Sequence, residues 1–413
     1  MGSPPQERRS GRGRVLAAVA AGALVAAGLA VAWVWWGGAG QARPYPPPVR
    51  LVVAEQFEYR PEKPLGAGEE RHFLGGRDGD FWVFHQGLVA PLTAVRITAK
   101  GAGRPEAVSP ADCDTTDAAF AANDASGSPV LVMIGCVRNS IGSSVAARTW
   151  TGEQWSEPAV LGSFQRCGSL GKLAGCVDSA GRIHVVYQAP LTPRESYARG
   201  IVVASGEFPV KCHHAYGDGR TWSSARPTTG PGRFYLFLRS LEEMADGKLC
   251  LRMEVHEFGL VNNGPTYEGI QLWDGKRWSK KQRASSAEPP ALISVCDWWG
   301  NRLFWQEGPG GVQGLLARGG SAWAAERVPL LSRPALHRDR QGRLVMASAD
   351  GSRGELRLWS GSAWAGSVTF PFKIQTQRLR LLSGPGGSIY LVGETDSLIL
   401  AQRVSIEPGP AAP

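Results

Sequence analysis

Leu272-Trp273-Asp274-Gly275-Lys276-Arg277-Trp278 sits near the middle of a 413-residue chain and sets two tryptophans five residues apart around an Asp-Gly turn. The frame from Trp273 to Trp278, with glycine third and tryptophan sixth, recurs as WTGEQW (150–155), GDGRTW (217–222), RGGSAW (318–323) and WSGSAW (359–364). A second signal precedes each copy: a short apolar run, a polar turn ending in glycine, then alternating apolar residues. DSAGRIHVVYQ (178–188), MADGKLCLRMEV (244–255), DWWGNRLFWQ (297–306) and DRQGRLVMAS (339–348) show it clearly. GRDGDFWVFHQ (76–86), DASGSPVLVMI (124–134) and GPGGSIYLV (384–392) are fainter copies.

The turn glycines are therefore Gly79, Gly127, Gly181, Gly247, Gly300, Gly342 and Gly387, at spacings of 48, 54, 66, 53, 42 and 45. Those spacings match the period of four-stranded propeller blades. Period-two alternation around glycine turns argues strands, and no amphipathic helix stands out after residue 48. The expected fold is all-β, a seven-bladed β-propeller over residues 50–406. A six-bladed ring is the alternative if the faint first or last copy is discounted. Each blade would run strand A, glycine turn, strand B, loop, strand C, Gly-x-x-Trp turn, strand D. Trp155, Trp222, Trp278, Trp323 and Trp364 are expected to fill space between neighbouring sheets, because a large aromatic at a turn can cover a sheet edge. Arg104 stands where the first of these tryptophans would fall, and the last copy lacks the second hairpin. The ring is therefore expected to close with residues 50–57, RLVVAEQF, pairing into the last blade, which removes exposed edges.

From turn glycine to turn tryptophan the distances are 28, 41, 31, 23 and 22 residues, so the B–C loop carries the variation. It is longest at 189–211. Long loops on a rigid scaffold are where binding resides, which directs attention to the B–C face.

The bulk numbers describe a folded protein with 43% apolar and 20% charged residues. The net charge is +9, with no basic cluster after the N-terminal tail, which argues against a nucleic-acid partner. Residues 15–36, VLAAVAAGALVAAGLAVAWVWW, form 22 residues without a charge. As a helix this segment spans about 33 Å, enough to cross a bilayer. Four arginines precede it, so the positive-inside rule predicts an N-in single-pass anchor. The segments are a basic cytoplasmic tail (1–14), the anchor (15–36), a Pro/Gly linker (37–49), the propeller exported to the periplasm or cell exterior, and a disordered tail (407–413). Cleavage near Gly40 and Ala42 is the alternative.

Export makes disulfides chemically accessible to the seven cysteines, and Cys167 with Cys176 is the expected bridge. Cys212-His213-His214 has no partners at zinc-ligand spacing. With no phosphate loop and no nucleotide fingerprint either, no metal or cofactor is expected.

The arrangement resembles the BNR, or Asp-box, propellers, the family that includes sialidases. Ala215-Tyr216-Gly217-Asp218-Gly219-Arg220-Thr221-Trp222 keeps Gly219, Thr221 and Trp222 of the Ser-x-Asp-x-Gly-x-Thr-Trp motif, with the acid one position late. Ser332-Arg333-Pro334 is similar to the family's Arg-Ile-Pro motif without its isoleucine. The resemblance implies a rim where Arg239, Arg333 and Arg378, at the starts of A strands, hold a substrate carboxylate, with Lys172 in the equivalent place of the third blade. Guanidinium groups suit that task through bidentate hydrogen bonds. The ends of B strands add His85, Gln86, Gln188, Glu254, Glu307 and Glu394 to the same rim. Tyr267-Glu268, placed in the fourth B–C loop, would be the nucleophile pair, with Glu254 as a further acid. The expected function is a non-catalytic module binding a glycan or another envelope protein through the B–C face. A sialidase-like glycosidase is the rival.

Overall fold

The computed structural model describes residues 49–409 except 67–68, 78, 88–89, 111–112, 138–141, 166–171, 191–209, 229–233, 245, 258–265, 284–293, 298, 300, 309–310, 318–325, 329, 331–333 and 373–377. The expected tail, membrane segment and most of the linker lie outside these residues. Among the described residues, no helix is long and apolar enough to cross a membrane.

The described residues form seven antiparallel sheets, six of four strands and one of five. In order, the first strands of the sheets are Glu70–Gly75, Cys113–Asn123, Leu173–Val177, Phe234–Glu243, Ser294–Cys296, Ala335–Arg338 and Arg378–Ser383. We call these the A strands of sheets 1 to 7, followed outward by B, C and D. All seven A strands contribute to the wall of one central cavity, so the sheets radiate from a common axis as in a β-propeller.

Each A–B hairpin closes in the same way. Gly76, Asp124, Asp178, Met244, Asp297, Asp339 and Gly384 donate their N–H to the carbonyl four residues ahead, at 2.6–3.0 Å. The glycine one place before each acceptor holds φ of 78–85° at Gly79, Gly127, Gly181, Gly247, Gly342 and Gly387. A side chain is disfavoured there, which is why glycine marks the repeat so regularly. Gly300 is outside the described residues.

Several B strands are nearly continuous apolar runs, such as Phe81–Gln86, Pro129–Val137 and Leu344–Ala349. They are buried on both faces, so alternation here selects which neighbouring sheet a side chain meets. Phe81 and Val83 pack toward sheet 7, whereas Trp82 and Phe84 pack toward sheet 2. Every apolar cluster joins two successive sheets in this manner.

Ring closure follows the expectation and extends it. Val49–Tyr59 pairs antiparallel with Ile399–Pro408 and becomes the D strand of sheet 7. Val49 pairs with Pro408, and Arg50 meets Glu407 at 2.6 Å, so residues 407 and 408 belong to the last strand and not to a tail. In sheet 1, where Arg104 replaces the tryptophan, the outermost position is split between Gly101–Ala102 and Glu106–Ala107, both paired with strand C.

The tryptophan turns answer the opening pattern. Trp150 and Trp155, Trp273 and Trp278, and Trp359 and Trp364 face each other across their C–D turns with ring centroids 5.4–5.7 Å apart. Each pair then packs on the preceding sheet. Trp155 lies 5.6 Å from Trp82, and Trp278 lies 5.2 Å from His214. Trp364 packs against the cluster that Leu303 and Leu316 of sheet 5 form with sheet 6. Trp222 has no tryptophan partner and instead covers Gly217, where a Cβ would meet its ring at 2.9 Å. Trp323 is outside the described residues.

Candidate functional site

The rim at the start of the A strands and the end of the B strands holds most of the residues singled out above, and the structure pairs them locally. Arg239, on strand A of sheet 4, is ion-paired with Glu254 on the adjacent strand B. Arg252 holds Glu268 at 3.0 Å and Glu242 at 3.2 Å. Tyr267 and Glu268 do not lie in a loop. Both belong to strand C, Thr266–Trp273, and neighbouring strand residues point to opposite faces. They therefore cannot act on one atom as a nucleophile pair. The Tyr267 ring is instead covered by Arg283 and Lys281, at 5.1 and 5.5 Å from its centroid.

Glu394 is also not a free rim carboxylate. Its exposure is 2%, and it accepts a 3.2 Å hydrogen bond from Arg71, itself 1% exposed. Arg71 also donates to the carbonyls of Thr395, Asp396 and Lys63, which ties sheet 1 to sheet 7 where the ring closes. Arg378 opens its A strand opposite Glu394 with an exposed side chain. Gln188 is buried and donates its amide to the carbonyl of Leu236 in the next sheet. Lys172 lies 5.0 Å over the Phe237 ring. His85 faces Glu69 at 3.3 Å, and Gln86 meets His72 at 3.1 Å. His85 and Arg71 also line a side cavity of about 280 Å³ beside the end of the closure strand. Arg333 lies outside the described residues, as does the Glu307 side chain, although its backbone is in strand B of sheet 5. The structure thus distributes the described candidates over separate sheets, with most of them engaged by immediate neighbours.

Cys176 is a free thiol, so the expected bridge to Cys167 is not formed, and Cys167 is outside the described residues. The Cys176 side chain lies in the wall of the central cavity, where burial pushes its pKa well above the ordinary thiol range.

Two groupings were missed at the sequence level. The first is a buried chain of hydrogen bonds linking the tryptophan turn of sheet 4 to the glycine turn of sheet 3. Trp278 Nε1 donates to His214 Nδ1 at 3.3 Å, His214 Nε2 meets His184 Nδ1 at 3.1 Å, and His184 Nε2 meets Asp178 Oδ2 at 3.1 Å. Both imidazoles as neutral Nε2–H tautomers give every N–H in the chain an acceptor. Burial, followed by the neighbouring His184, pushes His214 down to about 3. Burial alone would raise Asp178, but hydrogen bonds from His184 and Arg182 outweigh it and bring the carboxyl down to about 2. Among the described residues no group of three His, Cys, Asp or Glu is placed to hold a metal ion.

The second grouping is the central cavity, about 380 Å³, placed toward the A–B turn end of the channel and not at the B–C rim. Phe120, Leu241 and Leu336 give it apolar walls, while Asn123, His337 and Arg338 are polar lining groups. His337 accepts from or donates to Ser383 Oγ at 2.7 Å, and burial together with Arg338 pushes its pKa down to about 4. Polar residues at the ends of four A strands, Asn123, Glu243, Arg338 and Ser383, were the available sequence signal.

Neither a protein-family model nor a curated protein matches this chain. Among solved structures, the chain is similar to an alpha-L-arabinanase of Penicillium chrysogenum complexed with arabinobiose, at 10% identity over 86% of this chain and 98% of that one, TM-score 0.42. It is similar to a polysaccharide lyase of family PL25, an ulvan lyase, at 9% identity over 80% and 77%, TM-score 0.39. The intramolecular trans-sialidase of Ruminococcus gnavus in complex with oseltamivir carboxylate follows at 11% identity over 72% and 95%, TM-score 0.37. Likeness at this level has no bearing on activity.

Proposed function

We propose that this chain is a membrane-anchored β-propeller whose exported ring serves as a non-catalytic binding or scaffolding module, taking a glycan or an envelope protein on its B–C face. The seven sheets are read as seven blades, and the C–D turns as degenerate Asp-box turns. Asp218 supports the second point, since its Oδ1 accepts the N–H of Arg220 and Thr221 and the Thr221 hydroxyl. The anchor reading rests on the uncharged residues 15–36 behind four arginines. Protease added to intact cells or spheroplasts should degrade the propeller and spare an N-terminal epitope. Protection of the propeller would reverse the topology.

The observation carrying the binding reading is the pairing of rim acids with arginines: Glu254 with Arg239, Glu268 with Arg252, and Glu394 with Arg71. A glycosidase needs one carboxyl group able to give a proton and a second poised beside the sugar. A carboxylate already held by a guanidinium has its oxygens engaged and is not free to face a sugar. The two readings separate on turnover. The full-length protein is expected to leave a fluorogenic sialoside uncleaved while retaining ligands on a glycan array. Hydrolysis abolished by Arg239→Ala would establish the sialidase-like rival instead.

A further inference from the structure

We infer that the outer margin of the seam between sheets 3 and 4 is a docking track for a linear acidic polysaccharide, held by Arg226, Arg283 and Lys281. The track is on the outer wall of the ring, apart from the B–C face, and its test reads binding directly, whatever the topology of the anchor.

Residues 275–283, GKRWSKKQR, hold five cations and no acid, a local exception to the even spread of charge noted above. They run from the C–D turn of sheet 4 into its short outer strand, Gln282–Arg283. Lys281 and Arg283 sit over the Tyr267 ring, and Tyr267 packs against the apolar cluster that joins sheets 3 and 4. Both cations therefore lie on the face of sheet 4 turned toward sheet 3. Sheet 3 adds a cation of its own. Arg226 pairs directly with His214, and cross-strand partners share a face. His214 faces sheet 4, since Trp278 donates to it, so Arg226 faces sheet 4 as well.

Nearby acids do not neutralise this margin. Glu268 is on the opposite face of strand C and holds Arg252 at 3.0 Å. Asp218 and Asp274 accept the N–H groups of their own C–D turns. Among the described residues no carboxylate pairs with Arg226 or Arg283, and both are exposed.

Basic stretches of this density suit polyanions, and the layout selects the kind. Lys281 and Arg283 are alternate residues of an extended segment, about 6.6 Å apart along the chain, with Arg226 across the seam. Cations in file match an anionic chain, whereas a membrane presents a plane. Guanidinium forks engage carboxylates bidentately. A single-stranded nucleic acid would need an open aromatic face on which its bases stack. The Tyr267 ring is already covered by two cations, which favours a polyanion without bases.

The test is biolayer interferometry of the full-length protein, held in neutral detergent, on immobilised polygalacturonate, with dextran as the uncharged chain. Polygalacturonate should bind saturably and dextran should not, and binding should weaken as salt rises from about 50 to 200 mM. Arg226→Ser with Arg283→Ser should weaken binding about tenfold, whereas Lys100→Ser with Arg104→Ser, an equal charge loss on sheet 1, should change it by less than about twofold. All four side chains are exposed, so both double variants should melt with the parent. Arg226→Lys with Arg283→Lys keeps the charge without the planar fork, and its affinity should fall between the parent and the serine pair. Failure of polygalacturonate to bind, equal binding of dextran, or an equal loss in the sheet 1 pair would each overturn the assignment. Tighter binding of poly(dT) or of phosphatidylglycerol vesicles than of polygalacturonate would overturn it in favour of a nucleic acid or a membrane.

Discussion

Glu394 shows how one residue's role depends on what it faces. At the end of a B strand it reads as a rim carboxylate, but the side chain turns into the seam between the last and first sheets and holds Arg71. Nothing in the sequence distinguishes a strand-end glutamate facing the channel from one facing a neighbouring sheet. Because both groups are buried, removing either strands the other, at a cost of about 3–5 kcal/mol. Glu394→Gln should therefore lower the urea midpoint sharply. Arg239→Gln, which breaks a pair exposed on the arginine side, should barely move it.

The buried histidines give a second prediction at this scale. Burial pushes His72, His214 and His337 down, to about 3 for His214 and about 4 for His337. An unfolded histidine titrates near 6.5. Between those values the unfolded chain takes up protons that the folded one refuses, so stability is complete above about pH 6.5 and falls as pH drops toward 4. Asp178, held at about 2, contributes stability above its ordinary value that is lost only as the pH falls toward 2, below this window. Melting temperature measured from pH 7 to 4 should decline, and His214→Gln combined with His337→Gln should flatten much of that slope.

At the scale of the element, the hairpins were the legible part of the chain. The glycines were found because positive φ admits few other residues, and the tryptophans because each stands three places after a glycine in a recurring frame. What could not be read was the partner of each apolar residue. Buried on both faces, a B strand such as Phe81–Gln86 shows a run in which each residue commits to one of two sheets, and that choice is made by the ring. The aspartates three places before the turn glycines were visible as repeats of Asp-x-x-Gly but carried no assigned role. Asp339 shows the role: Oδ1 accepts the N–H of Gln341 and Arg343, and Oδ2 holds the buried Arg343 guanidinium. Asp339→Ala should cost about 3–5 kcal/mol, as expected when a buried cation loses its partner. Asp274→Ala removes a similar turn acceptor at the exposed LWDGKRW turn, and its urea midpoint should stay much closer to the parent. Trp155 is a stronger lever in the same kind of turn, because it is 7% exposed against Trp82 and Phe84 of the preceding sheet. Trp155→Ala should lower stability by about 3–5 kcal/mol.

For the molecule as a whole, the decisive contact is the one between its two ends. Sheets that bury apolar side chains against two neighbours have no stable terminal member in an open array, so the first and last must meet. The chain achieves this with Val49–Tyr59, which supplies the outer strand of sheet 7 and places Phe57 between the two ends of the ring. The Phe57 ring lies 5.9 Å from Phe81 of sheet 1 and 6.2 Å from Tyr390 of sheet 7. Arg71 and Glu394 close the same seam from the channel side. The missing last hairpin foretold this arrangement, since a sheet one strand short needs a strand from elsewhere. The seam's buried ion pair left no comparable trace. Removal of residues 1–59 should then do more than shorten one sheet. It should expose the edge of strand Ile399–Pro408 and uncouple sheets 1 and 7, so that denaturant unfolding broadens from a single transition into separable steps. Adding a peptide of residues 49–59 should restore the sharp transition by refilling the edge, and the same peptide with Phe57→Ala should restore it poorly. If the truncated chain unfolds at the parent's midpoint with undiminished steepness, closure by this strand is not what makes the ring cooperative. The seam would then be held by sheets 1 and 7 alone.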